Sequence, residues 1–145
     1  MNNAYVVLKE SQQKEINAFP LKFAFSQKQF EEGMIELGLE PDDIDKITGI
    51  GVGGGFCLRT DYHKLAELLD RHKKELNDAI SNDSTGKGFI FDMFYHELAN
   101  HEYCVTFDEE PALDALGLTW GDIDADERLS HGLYLAKKTQ SDQVV

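Results

Sequence analysis

The sequence predicts an α+β fold: one compact domain over residues 1–138, with a small antiparallel or mixed sheet packed against four to five helices, and a tail over 139–145. Stretches with apolar residues three and four apart alternate with short β-branched and aromatic runs, the two periodicities that separate amphipathic helices from strands. Gly38 and Gly117 each follow a helical pattern, where a residue free to turn left-handed stops a helix. A 145-residue chain that is 41% hydrophobic, with nine Phe and five Tyr, can bury a core without a disulfide or metal staple.

Residues 5–18, YVVLKESQQKEINA, are helix formers and predict a first helix stopped at Phe19 and Pro20. LKFAF, 21–25, reads as a short strand. Ser26 is placed to cap the next helix, in which Phe30, Met34, Ile35 and Leu37 recur near helical spacing until Gly38. ITGIGVGGGFCLR holds five glycines in positions 49–55 and an apolar run, so a strand or bent hairpin is expected over 50–59. Asp61 is the expected cap of a long helix with Leu65, Leu68, Leu69, His72, Leu76, Ala79 and Ile80 on one stripe. SNDSTGKG, 81–88, is a flexible loop by composition. FIFDMFYHELANHE predicts a mostly buried helix whose first residues could also be strand, and EYCVTF predicts a strand over 103–107. Asp108 would cap a short helix ended by Gly117, and a last helix runs from about Ala125 to Lys138.

One pattern occurs twice. Leu37-Gly38-Leu39 followed by Asp43-Ile44-Asp45 is repeated as Leu116-Gly117-Leu118 followed by Asp122-Ile123-Asp124. Each copy follows a strand-like run ending in Phe, a capping residue and a helix. A shared helix-stop solution is the simpler reading; true duplication stays open, since two copies do not make a repeat array.

Charge is the most informative property. The chain has 27 acids against 14 bases, a net charge of −13, and from Gly88 to Glu127 it has no Lys or Arg. That balance disfavours direct binding to a phosphate backbone; it either serves solubility, as in many acidic domains, or forms a face for a protein partner with a basic surface. The candidate contact residues form two clusters, Glu36, Glu40, Asp42, Asp43 and Asp45, then Asp108, Glu109, Glu110, Asp122, Asp124, Asp126 and Glu127. Two cysteines, Cys57 and Cys104, fit a reducing compartment, and no signal-like segment or uncharged apolar run of membrane length is present, so a cytoplasmic protein without membrane attachment is expected.

Several catalytic motifs fail on their own mechanics. GIGVGG, 49–54, has dinucleotide-loop spacing but continues into FCLR instead of opening a helix under a pyrophosphate. SNDSTGKG lacks the first glycine and the final hydroxyl residue of a phosphate loop. His96 and His101 are five apart, so a regular helix turns them to different sides. Asp122, Asp124 and Asp126 begin like a calcium loop, but Glu127 takes the glycine position and Leu133 the bidentate glutamate position. Cys57 and Cys104 lie in apolar surroundings suited to inert thiols. No catalytic residue, metal ligand or cofactor is therefore expected. The alternatives are an enzyme using Tyr95, His96, Glu97, His101 or Glu102 as acid or base, and a structural protein that forms homo-oligomers.

The stretches FAFSQKQFEEGMIELGL and ELANHEYCVTFDEEPALDALGL resemble an uncharacterised family of small acidic proteins from gut bacteria and their phages and mobile elements, over Phe23 to about Leu135. The resemblance implies no activity for any residue. It implies genomic company in which acidic inhibitors of defence nucleases are common, and the strand, cap and acidic-helix pattern is similar to antirestriction proteins that mimic DNA. On that reading the carboxylates would occupy the basic groove of a nucleic-acid enzyme.

Overall fold

The computed structural model describes residues 2–51 and 53–143. The fold is α+β, with eight α-helices, a 3-10 turn and a three-stranded antiparallel sheet among the described residues. The order is α1 (Ala4–Ala18), β1 (Lys22–Phe23), α2 (Gln27–Glu36), the 3-10 turn Ile44–Lys46, β2 (Ile47–Gly49), β3 (Gly55–Leu58), α3 (Arg59–Asn82), α4 (Phe89–Asn100), α5 (Tyr103–Thr106), α6 (Glu110–Leu116), α7 (Trp120–Asp124) and α8 (Glu127–Asp142). The chain forms two compact units, Gln12–Lys74 and Met1–Ser11 with Glu75–Val145, and the division falls within α1 and within α3.

The first unit, Gln12–Lys74, contains the sheet, ordered β1-β3-β2, with Lys22 opposite Phe56 and Thr48 opposite Cys57. Strand β3 is central and apolar, and its Phe56 and Cys57 are buried with Met34 and Leu65. Helix α2 starts as expected, with the Ser26 hydroxyl accepting from the Gln29 amide at 3.2 Å. It lies close to the sheet because Gly33 has no side chain: a Cβ there would stand 2.9 Å from the Phe56 ring. The glycine-rich segment joins two antiparallel strands instead of leading into a helix, so its backbone is a hairpin connection and not a phosphate loop. Val52, within that segment, lies outside the described residues.

In the second unit, α4 and α8 form the central pair. Ile90, Met93, Phe94 and Leu98 of α4 pack with Leu129, Leu133 and Ala136 of α8, and Ala112, Leu113, Ile123, Tyr103 and Tyr5 complete the core. The approach depends on Gly132: a Cβ would stand 2.5 Å from Ile90 Cγ2 and 2.7 Å from the Gly86 carbonyl oxygen. Gly86 has a left-handed backbone, φ +84°, and a side chain there would run into the Arg128 carbonyl. Two glycines thus bring the turn before α4 onto the first turns of α8.

Four expectations need correction. Residues 103–106 form the single-turn helix α5, not a strand; the β-formers Tyr103, Val105 and Thr106 are bracketed by left-handed Glu102 (φ 59°) and Phe107 (φ 55°), which close the segment on itself. Helix α3 begins at Arg59, so Asp61 sits in its first turn instead of capping it, and Leu69 on the apolar stripe is 48% exposed. Helix α8 continues to Asp142, with Gln140 buried and donating to the Tyr95 carbonyl at 3.1 Å, so Thr139–Asp142 is not tail. The expected tail residues Val144 and Val145 lie outside the described residues. Helix α7 adds an element at 120–124, announced by a capping box between Thr119 and Asp122.

Gly132→Ala tests the close approach of α4 and α8. It should destabilise the protein by about 1–3 kcal/mol through overpacking, although alanine is the better helix former. Urea unfolding of the two proteins reads the difference; equal or higher stability would mean that the helices can separate freely at this point.

Candidate functional site

The candidate carboxylates divide by what holds them. In the sheet-containing unit, Glu36 pairs with Lys22 at 2.6 Å and Asp43 with Lys46 at 3.6 Å. Asp43 also accepts from the Glu40 amide at 2.9 Å, bracing the turn after α2. Glu40, Asp42 and Asp45 are exposed, and their side chains make no ion pair or hydrogen bond among the described residues.

In the helical unit, Glu109 pairs with Lys137 at 3.5 Å and Asp126 with Arg128 at 2.7 Å. Asp126 is also the cap of α8, accepting from the Arg128 amide at 2.9 Å, and the Arg128 guanidinium holds its carboxyl below the usual carboxylate range. Asp108, Glu110 and Asp122 are held by neutral donors: the Glu110 amide at 3.0 Å, the Trp120 indole N–H at 2.7 Å and the Thr119 amide at 2.9 Å. These bonds fix position and leave the charge in place. Asp124 and Glu127 are exposed, and like Asp114 their side chains make no ion pair or hydrogen bond among the described residues.

Hydrogen bonds also link this acidic region to exposed apolar groups. The Thr106 hydroxyl accepts from the Asp108 amide at 3.1 Å, Asp108 accepts from Glu110, and Glu110 accepts from Trp120. Trp120, at the end of that chain, is 39% exposed, and Val105 and Phe107, on either side of Thr106 in sequence, are 73% and 55% exposed. Phe107 is held in the left-handed region, which costs a residue with a Cβ roughly 1–2 kcal/mol. Its amide donates to the Tyr103 carbonyl at 2.8 Å, and its ring meets buried Tyr103 edge-on at 5.8 Å.

The two copies of the repeated pattern share their turn chemistry. Leu39 donates to the Met34 carbonyl and Leu118 to the Leu113 carbonyl, around Gly38 (φ 79°) and Gly117 (φ 68°). Asp43 and Asp122 then reach back to equivalent amides, Glu40 and Thr119. The preceding segments differ, a strand in the first copy and a single helical turn in the second. The likeness is confined to the stop and the turn.

Of the residues considered as an acid–base site, Glu97 is buried, Tyr95, His96 and His101 are partly buried, and Glu102 is exposed. Glu97 accepts from the Tyr5 hydroxyl at 2.9 Å and stands 3.5 Å from His101 Nε2. Burial and the adjacent Glu97 carboxylate push the Tyr5 phenol well up. His96 packs its ring on Tyr5 at 5.7 Å, and Tyr95 OH accepts from Gln143 at 2.7 Å. Cys57 is fully buried and its thiol is pushed up by burial and by Asp61, the opposite of activation.

Two polar centres were missed by sequence reasoning. In the sheet-containing unit Glu15 takes both Arg71, bidentately, and the buried His72, and the Arg71 guanidinium holds the Glu15 carboxyl low. In the helical unit, the segment read as a flexible loop contains Asp83, whose carboxylate accepts from the amides of Thr85, Gly86, Gly88 and Ile90 at 2.9–3.1 Å. Burial pushes its carboxyl up, and the four donors outweigh that and leave it below its ordinary value. From α8, Arg128 donates to the carbonyls of Ile80 and Asp83 at 3.0 and 2.8 Å, closing the end of α3. The Ser-Thr-Gly-Gly composition was readable as an Asp-centred turn; the partner 45 positions away in the chain was not.

A family of unknown function, DUF7659, has a model that matches residues 4–139. No curated protein and no solved structure matches the chain.

Asp83→Asn removes the charge that four amides face. With the folded pKa below the unfolded value, the stabilisation is present above about pH 4 and is lost as pH falls through the folded pKa. The variant should therefore be less stable than the parent by about 1–3 kcal/mol at neutral pH, with the gap narrowing below about pH 4. Urea midpoints across that range measure it; a gap independent of pH would show that shape, not charge, holds the turn.

Proposed function

We propose that this chain, which belongs to the DUF7659 family of unknown function, is a non-enzymatic acidic interaction domain that engages a basic surface on another protein. One observation carries the reading. Within a stretch lacking Lys and Arg, the exposed carboxylates of Asp108, Glu110 and Asp122 are held by neutral donors and those of Asp124 and Glu127 have no partner among the described residues, so their charge is not cancelled locally. Glu40, Asp42 and Asp45 supply a like group in the other unit. Carboxylates of this kind steer a basic partner at long range and repel nucleic acid and anionic membranes. In its sharper form the partner is a nucleic-acid-binding enzyme whose basic groove these carboxylates occupy.

The test uses residues that carry charge without carrying structure. Asp122 and Asp126 cap helices and Glu110 holds Trp120, so the informative variant is Asp114→Lys, Asp124→Lys and Glu127→Lys together. A partner captured by the parent protein at about 50 mM salt should be released by about 200 mM, should not be captured by the triple variant, and in the sharper form should be displaced by duplex DNA. Capture that is indifferent to salt and to the triple reversal contradicts the reading.

A further inference from the structure

Resting on that reading, we infer that the exposed apolar group Val105, Phe107 and Trp120 is the anchor of the acidic surface, and that its occupant is an arginine-bearing segment of a partner protein. Charge alone does not account for these residues. Phe107 occupies a left-handed position where glycine or asparagine would sit with less strain, yet the residue is more than half exposed. Val105 is exposed on the turn before it, and Trp120 is tied by its indole N–H to Glu110, leaving ring surface open beside a carboxylate. Aromatic faces bordered by unneutralised acids match the guanidinium group, which stacks flat on a ring while its N–H groups pair with carboxylate oxygens. A lysine ammonium, a compact and strongly hydrated charge, fits less well.

The surroundings separate this occupant from its rivals. A second copy of the chain would bring the same carboxylates, Asp108, Glu110, Asp122 and Asp124, to the contact, in a protein of net charge −13. Nucleic acid and anionic lipid carry the wrong sign. A purely apolar segment would leave the carboxylates around the anchor desolvated and unpaired. Basic character and an anchoring side chain are both required.

Trp120 is the only tryptophan, so the surface has its own reporter. Three synthetic peptides serve as probes: one alternating arginine and leucine, its lysine counterpart and its glutamate counterpart. Titration of the full chain should give a saturable change in tryptophan fluorescence with the arginine peptide, at least several-fold weaker binding with lysine and none with glutamate. Phe107→Gly, which relieves the left-handed strain and spares the reporter, should retain fold and thermal stability while weakening the arginine peptide about tenfold; Val105→Ser should weaken it in the same direction. Equal, salt-sensitive binding to the parent and both variants would overturn the anchor while leaving the acidic reading intact. No saturable binding of the arginine peptide also overturns the anchor, and salt-dependent capture then judges the acidic reading separately. A doubled molar mass in solution that Phe107→Gly abolishes would make the occupant a second copy and overturn the assignment.

Discussion

The helical unit depends on how one turn is closed. Between α3 and α4 the chain turns over a few residues, leaving α3 carbonyls and α4 amides without helical partners. Asp83 meets the amides and Arg128 meets the carbonyls, while Gly86 lets the turn press against the Arg128 backbone. With the turn fixed there, α4 starts where Ile90 falls over Gly132, and the α4–α8 core follows from that register. Arg128 serves twice, because its remaining guanidinium nitrogens grip the Asp126 carboxylate that caps its own helix.

The same economy shapes the surface. In the stretch without Lys or Arg, Glu109 and Asp126 are paired with Lys137 and Arg128 from beyond it, and other carboxylates that serve the fold are held by neutral donors. Asp92 accepts from the Ala4 amide at 2.9 Å, Glu97 from Tyr5 and Glu110 from Trp120. Such bonds position a carboxylate without removing its charge, so the requirements of the fold and an uncancelled negative field are satisfied together. The aromatic groups complicate a picture of simple polyanion mimicry. A DNA groove offers no counterpart to an exposed Phe107, whereas a protein segment with alternating cationic and apolar side chains does.

The local grammar of the fold was legible in the sequence. Ser26, Gly38 and Gly117 act as their chemistry predicts, and the hairpin at the glycine-rich segment follows from the density of residues that adopt positive φ. Misreadings arose where local propensity met a longer-range constraint. Tyr103–Thr106 has strand composition, but it lies between two left-handed residues and buries Tyr103 in a helical core, which no window centred on the segment contains. Helix α7 was hidden by its length, although the spacing of Thr119 and Asp122 announced its cap. For the candidate carboxylates the sequence supplied their number and clustering. Which of them are spent on caps and ion pairs depended on Arg128 and Lys137, placed by tertiary structure.

A large part of the negative charge is exposed and has no basic partner among the described residues. Folding then concentrates like charges, and screening them should stabilise the native state. Urea unfolding at neutral pH, with sodium chloride raised from about 10 mM to about 200 mM so that the screening length falls from about 30 Å to below 10 Å, reads this without any partner. The account predicts a midpoint that climbs steadily with salt. A midpoint that falls would mean that attractive pairs dominate the surface, and that the carboxylates proposed for a partner are already engaged within the chain.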